Sequence, residues 1–282
     1  MSNNEFVRDH PWASLHFTEI PEEFPVKRPF ATLIQGLVYA SHLTPEPNAK
    51  GLLVWLYGAA DSSGNRPNLK SRKVGAAAGR HTLVVSDPSL FLDPELHTGI
   101  FLGAEHNDPI DGLITLINAV AISLGLRPED TIVAGNSGGG FGAVMTVCRT
   151  GWRGIALNPQ LDLPSFRLAK GAPILLERYR PGATPDQLAL DSPHRMNAAR
   201  AWSLATAKGR QPRLALFQNV VDRYHYKRHY LPFCEMVGAE PGGGLSPDGR
   251  IMTTTLDYPG GHGGPVEILE EVIRTGAAFV TT

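Results

Sequence analysis

In the segment Gly135-Asn136-Ser137-Gly138-Gly139, residue types and spacing together point to chemistry. It follows the β-rich run Thr131-Ile132-Val133-Ala134 and opens a stretch over 138–149 that is rich in small residues and reads as a helix. A serine set as G-x-S-x-G between a strand and a helix stands on a very tight turn, a nucleophile elbow. A β-carbon two residues before or after it would strike the neighbouring strand or helix, and glycine removes that atom at both places. The turn lifts the serine oxygen clear of the sheet. The helix behind it aims backbone N–H groups and the positive end of its dipole at the oxygen of whatever the serine attacks. Ser137 is therefore a candidate nucleophile, and the Gly138 amide a candidate donor to an oxyanion.

Chance alone would give on the order of 0.2 matches to this motif in a chain of this composition, so its strand and helix carry the weight. A Gly-rich turn that binds phosphate is the competing reading, and it fits badly. The Gly-Lys-Ser/Thr ending of a Walker loop is missing, and a dinucleotide fingerprint would need glycine where Ser137 stands. His225 and His229 have the i, i+4 spacing of zinc ligands on a helix, but the glutamate of H-E-x-x-H is absent and Tyr226, Lys227 and Arg228 fill the gap. No metal and no cofactor is expected.

The elements that must position these residues follow from hydrophobic patterning. Short β-rich runs at 31–40, 52–57, 82–86, 131–134, 154–157, 213–218 and 251–256 alternate with helical patterns at 110–124, 138–149 and 225–237. Several strands are continuous apolar runs, as strands covered on both faces must be. Repeated strand, helix, strand predicts an α/β, doubly wound, mostly parallel sheet. The gap of more than fifty residues between Leu157 and Arg213 exceeds a simple crossover, so 159–211 is expected to form a small helical insertion or partial cap, with 198–207 helical.

Thirty Gly and 23 Pro are spread as punctuation with no linker or repeat, which favours one domain over 1–282. Lys+Arg 26 against Asp+Glu 27 offers nothing to a polyanion, so no nucleic-acid partner is expected. Cys148 and Cys234 lack the spacing of a disulfide framework or thiolate metal site. The start lacks a secretory signal pattern and no apolar run is long enough to span a bilayer, so the expectation is a cytoplasmic protein without a membrane span. The patterning leaves the oligomeric state open.

With elbow and element order in place, the sequence resembles the α/β-hydrolase superfamily, in which nucleophile, acid and histidine follow in that order along the chain. The resemblance spans 33–280 in element order, with motif-level matches at four short places. It implies an acid just beyond the strand at 213–218, which is Asp222; a turn aspartate capping the next helix is the plainer reading of that residue. Asp162, after the strand at 154–157, occupies the alternative acid position. It also implies a histidine in the loop after the last strand, and Tyr258-Pro-Gly-Gly-His262-Gly-Gly-Pro provides one, with glycine on both sides leaving the imidazole free to reach inward. Neutral imidazole would take the serine proton and the carboxylate would fix its tautomer.

The second oxyanion amide would come from Ala59 or Ala60 after the strand at 52–57, where Tyr57 replaces the usual histidine. Tyr57, Asn136, Asn158 and Gln160 are candidates to touch a small-molecule acyl substrate. Arg178 and Arg180 could meet an anionic substrate, though solvated surface arginines are the commoner case. The elbow followed by Asn158-Pro159-Gln160 also resembles that of bacterial proteins, some linked to surface glycans. The chemistry implied is acyl transfer from an ester or thioester, to water or alternatively to a sugar or other hydroxyl. A non-catalytic binding module on the same scaffold is the third reading.

Overall fold

In the computed structural model, which describes residues 5, 8–61, 63–165 and 171–282, ten strands make one sheet in the order β1-β2-β3-β5-β4-β6-β7-β8-β10-β9. They are β1 (Leu15–Phe17), β2 (Pro29–Ile34), β3 (Leu37–Thr44), β4 (Leu52–Tyr57), β5 (His81–Ser86), β6 (Ile132–Asn136), β7 (Arg153–Leu157), β8 (Arg213–Asn219), β9 (Gly243–Leu245) and β10 (Ile251–Leu256). From β5 through β4, β6, β7 and β8 to β10 every neighbouring pair is parallel. The expected mostly parallel α/β sheet is therefore the observed one.

One strand expectation needs correction. The run at 31–40 is two antiparallel strands, β2 and β3, joined at Gln35-Gly36. Both turn residues have positive φ, 52° and 80°, the backbone of a two-residue hairpin whose twist matches the strands it joins. A continuous apolar pattern hid a turn carried by two residues.

β4 and β6 are buried over nearly their whole length because helices cover both faces. On one face lie α1 (Pro109–Ser123) and α2 (Gly138–Thr150), whose Leu113, Leu116, Phe141 and Val144 join Val54, Leu56 and Val133 in a core. On the other, the C-terminal helix Val266–Val280 sets Ile273 and Ala277 against Trp55, Ile155 and Phe217. Each such large side chain, fully buried, contributes about 1.5–3 kcal/mol. Asp108 starts α1 by accepting a hydrogen bond from the Ile110 amide, and Gly151 at φ 82° ends α2.

Among its described residues the stretch 159–211 carries α3 (Gly171–Tyr179), α4 (Pro185–Asp191), α5 (Pro193–Met196) and α6 (Ala198–Ala207). No helix among the described residues is long and apolar enough to cross a membrane. The parallel strands deliver the segments that follow them to one edge of the sheet, where ligands of open α/β sheets bind.

Candidate active site

Ser137 has φ 57° and ψ −124°, a conformation that costs a non-glycine residue of order 1–3 kcal/mol and persists only where its surroundings enforce it. They do so here through hydrogen bonds. The Ser137 amide donates to the Leu157 carbonyl at 3.0 Å, and its own carbonyl accepts from the amides of Phe141 at 3.2 Å and Gln160 at 3.3 Å. The glycines are a steric necessity: a β-carbon on Gly139 would lie 1.9 Å from the Leu56 carbonyl oxygen, and one on Gly135 2.3 Å from the Gly139 carbonyl carbon.

Gly138 opens α2, so its N–H has no acceptor within the helix. Gly58 packs so closely on it that an added β-carbon would sit 2.5 Å from the Gly138 carbonyl carbon. The Gly58 carbonyl is held by the amides of Gly99 and Ile100. Of the two neighbouring alanines, Ala60 commits its amide to the His97 carbonyl at 2.9 Å. The Ala59 amide donates to no described residue, which makes Ala59 the better placed of the pair.

Asp222 lies just past β8 and His262 in the loop after β10, and the two meet: Nδ1 of His262 donates to Asp222 Oδ2 at 2.6 Å. The helix-capping reading of Asp222 holds as well, because Oδ1 accepts from the His225 amide at 3.3 Å. Burial alone would raise the Asp222 carboxyl, but hydrogen bonds from His225 and His262 outweigh it and hold the group well below the usual carboxylate range. Asp162 is elsewhere: its carboxylate accepts from Asn197 Nδ2 at 2.9 Å and the Ser165 hydroxyl at 2.5 Å. His262 Nε2 is buried and, like the Ser137 hydroxyl, makes no hydrogen bond to a described residue. Catalytic hydrogen bonds of this kind often close only around substrate.

No family model and no curated protein matches this sequence. Solved structures do. A capsule O-acetyltransferase of Neisseria meningitidis serogroup A matches with TM-score 0.55 at 13% identity, over 88% of this chain and 96% of that one. An S-formylglutathione hydrolase from Agrobacterium tumefaciens matches with TM-score 0.57 at 14% identity, over 90% and 95%. Carboxyl esterase 2 from the mycorrhizal fungus Tuber melanosporum gives 0.58 at 13%, over 94% and 90%. The chain has the α/β-hydrolase fold.

Within that hydrolase fold the histidine loop is held by two buried amides. Asn158, at φ 43°, donates through Nδ2 to the Tyr258 hydroxyl at 2.7 Å and the His262 carbonyl at 3.2 Å, and accepts the Asn219 amide at 2.7 Å. Asn219 Nδ2 donates to the carbonyls of Tyr258 at 3.0 Å and Gly261 at 2.7 Å. Asn158 is thus engaged with the loop. Sequence reasoning passed over Asn219 and Tyr258; the available signal was a polar residue ending an otherwise apolar strand.

Gln160 is buried, and its Oε1, without a hydrogen-bond partner among the described residues, would lie 3.2 Å from a β-carbon on Gly138, so it faces the elbow. Asn136 Oδ1 is also buried without a partner among the described residues. The Tyr57 hydroxyl pairs with Ser71 Oγ at 2.7 Å. Arg178 pairs with Asp93, and Arg180 with Glu105 and Asp191, so both arginines tie α3 and its surroundings to the body.

An apolar cavity of about 430 Å³ opens beside the elbow, lined by Ile100, Leu102, Leu163, Leu175, Leu176 and Pro185 among others. Ile100 links the two, since its Cγ2 would be 2.5 Å from a β-carbon on Gly138.

Asp222, His225 and His262 bring three donor atoms within 4.8 Å of one another. Their geometry suits a hydrogen-bonded cluster better than an ion. The two imidazoles lie 3.9 Å apart with planes 22° from parallel, so an ion about 2 Å from both Nδ1 atoms, as zinc requires, would leave the plane of at least one ring.

Proposed function

We propose that the protein is a serine hydrolase acting on esters or thioesters with an apolar acyl group. The observation that carries this reading is the 2.6 Å Asp222–His262 contact formed at the same sheet edge as the strained Ser137 elbow. His262 accepts the Ser137 proton at Nε2 as Oγ attacks the acyl carbonyl carbon. The imidazolium that results is stabilised by Asp222 through Nδ1. The carbonyl oxygen, now an oxyanion, receives the amides of Gly138 and Ala59, and each such donor is worth about 3–4 kcal/mol in the transition state. Collapse breaks the bond to the leaving group, which takes the proton from His262. Water, deprotonated by the same imidazole, then attacks the acyl-enzyme and frees Ser137.

The cavity beside Gly138 supports an acyl chain longer than acetyl: it is apolar and lies within the 300–1,000 Å³ range of small-molecule sites. Ser137→Ala, assayed on a nitrophenyl ester series, should lose activity by orders of magnitude, up to roughly a millionfold, while keeping its circular dichroism spectrum. Near-normal turnover in that variant overturns the proposal.

Transfer to a sugar or other hydroxyl in place of water is the second reading. It is favoured by the near full-length correspondence with a capsule O-acetyltransferase. The product ratio with and without a hydroxyl acceptor separates the two, because a strict hydrolase ignores the acceptor.

A further inference from the structure

The mechanism above uses one histidine, yet two share its carboxylate. Nδ1 of His225 lies 3.0 Å from Asp222 Oδ1 and 2.9 Å from Oδ2, while Nδ1 of His262 lies 2.6 Å from Oδ2. The His225 ring stacks on that of His262 at 3.9 Å. Behind it His229 stacks at 5.1 Å, with the Tyr224 ring edge-on to His225 at 5.4 Å. Among the described residues, Asp222, His262, His229 and Tyr224 are therefore the titratable groups around His225. Burial pushes His229 down to about 3, with the neighbouring His225 adding to the effect. Its Nδ1 accepts the amides of Leu161 at 3.3 Å and Asp162 at 3.2 Å, which puts its proton on Nε2. His229 is a neutral wall against which His225 rests.

The loop that bears His262 explains why such a stack is useful. Gly260, Gly261, Gly263 and Gly264 flank the histidine, and glycine-rich backbone restrains a side chain poorly. Asn158 and Asn219 fix the carbonyls of this loop, but neither touches the imidazole. What holds the ring is the Asp222 oxygen on its edge and the His225 ring on its face.

We propose that His225 is a positioning residue for the triad: it orients Asp222 by a second imidazole N–H bond and holds the His262 ring by stacking. The inference rests on the serine-hydrolase reading. It has a consequence that a merely structural residue would lack. Asp222 divides its charge between two N–H donors, so it stabilises protonated His262 less than a carboxylate devoted to that ring alone would. Any proton on His225 opposes one on His262 in the same sense. Removing His225 should therefore move the acidic limb of kcat/KM to higher pH.

The test compares His225→Ala and His225→Phe with wild type on a nitrophenyl ester from pH 5 to 9, together with fluorophosphonate labelling of the wild-type enzyme. His225→Ala should lower kcat at least tenfold with KM within about twofold, and move the acidic limb to higher pH. His225→Phe, which restores the stacked ring without the N–H bond, should regain kcat relative to His225→Ala and keep the shifted limb. Wild-type pH limbs in both variants overturn the role of His225, as does a loss confined to KM. Failure of the wild-type enzyme to label at Ser137 overturns the serine-hydrolase reading itself. If His225→Ala folds poorly, the limb in His225→Phe decides alone.

Discussion

Replacing Asn219 by alanine should lower the proposed ester turnover although the residue is buried under the site and touches no reacting atom. Its side chain donates two hydrogen bonds to the loop that bears His262, at 3.0 Å to the Tyr258 carbonyl and 2.7 Å to that of Gly261. A typical intramolecular hydrogen bond nets about 1 kcal/mol, so the loop loses about 2 kcal/mol of restraint toward the position in which His262 meets Asp222. At 1.36 kcal/mol per tenfold this is about a thirtyfold fall in the population of competent loop. The longer bonds that Asn219 Oδ1 accepts from the amides of Val221 and Tyr258, at 3.2 and 3.4 Å, add a loss of global stability. The assay is kcat/KM on a nitrophenyl ester beside the thermal midpoint. The ester rate and the fluorophosphonate labelling rate should both fall about thirtyfold, since each needs the same loop. Asn219→Asp, which keeps the shape but turns donors into acceptors facing two carbonyls, should fall as well. A folded Asn219→Ala variant within twofold of wild type in both rates would refute the loop-clamp reasoning.

Two further outcomes are expected. Asp87 is buried, and burial raises its carboxyl to about 7 despite hydrogen bonds from the amides of Phe101 and Ser89. A group raised above its unfolded value of 3.8 stabilises fully below that pH and loses the contribution as pH climbs through about 7. The stability difference between wild type and Asp87→Asn in urea should therefore shrink by up to about 4 kcal/mol from pH 4 to pH 8, and a difference independent of pH would contradict it. In the apolar cavity each added acyl methylene should raise kcat/KM up to about fourfold, from about 0.8 kcal/mol per buried methylene, until the cavity is full. Leu175→Trp, which intrudes on that space, should move the optimum to shorter chains, and an unchanged chain-length profile would remove the cavity from the account.

The parallel sheet was legible because strands buried on both faces leave near-continuous apolar runs, as Leu52–Tyr57 does with the bounds expected of it, while the half-buried Ile251–Leu256, with three threonines, was legible from its β-branched residues. The hairpin at Gln35-Gly36 was not, since its turn depends on two φ angles and leaves the apolar run unbroken. The elbow could be read because steric demand at Gly135 and Gly139 is local to five residues. The histidine stack could not: His225 and His229 are one helical turn apart in sequence, but their meeting with a ring at 262 is a product of the β8–β10 pairing. Spacing alone offered them as a zinc pair to be set aside and gave no hint of a second imidazole on Asp222. For the proposed oxyanion amide, the preference for Ala59 over Ala60 rests on the Ala60 N–H meeting the His97 carbonyl, a contact between loops that patterning does not encode.

The most direct test of the central claim is to treat the 282-residue chain with a fluorophosphonate and map the adduct by mass spectrometry. The account predicts a single adduct on Ser137, formed at least a hundredfold more slowly in His262→Ala, in keeping with the 10²–10⁴-fold contribution of a positioned base. An unlabelled Ser137, or labelling that is indifferent to the loss of His262, would contradict it.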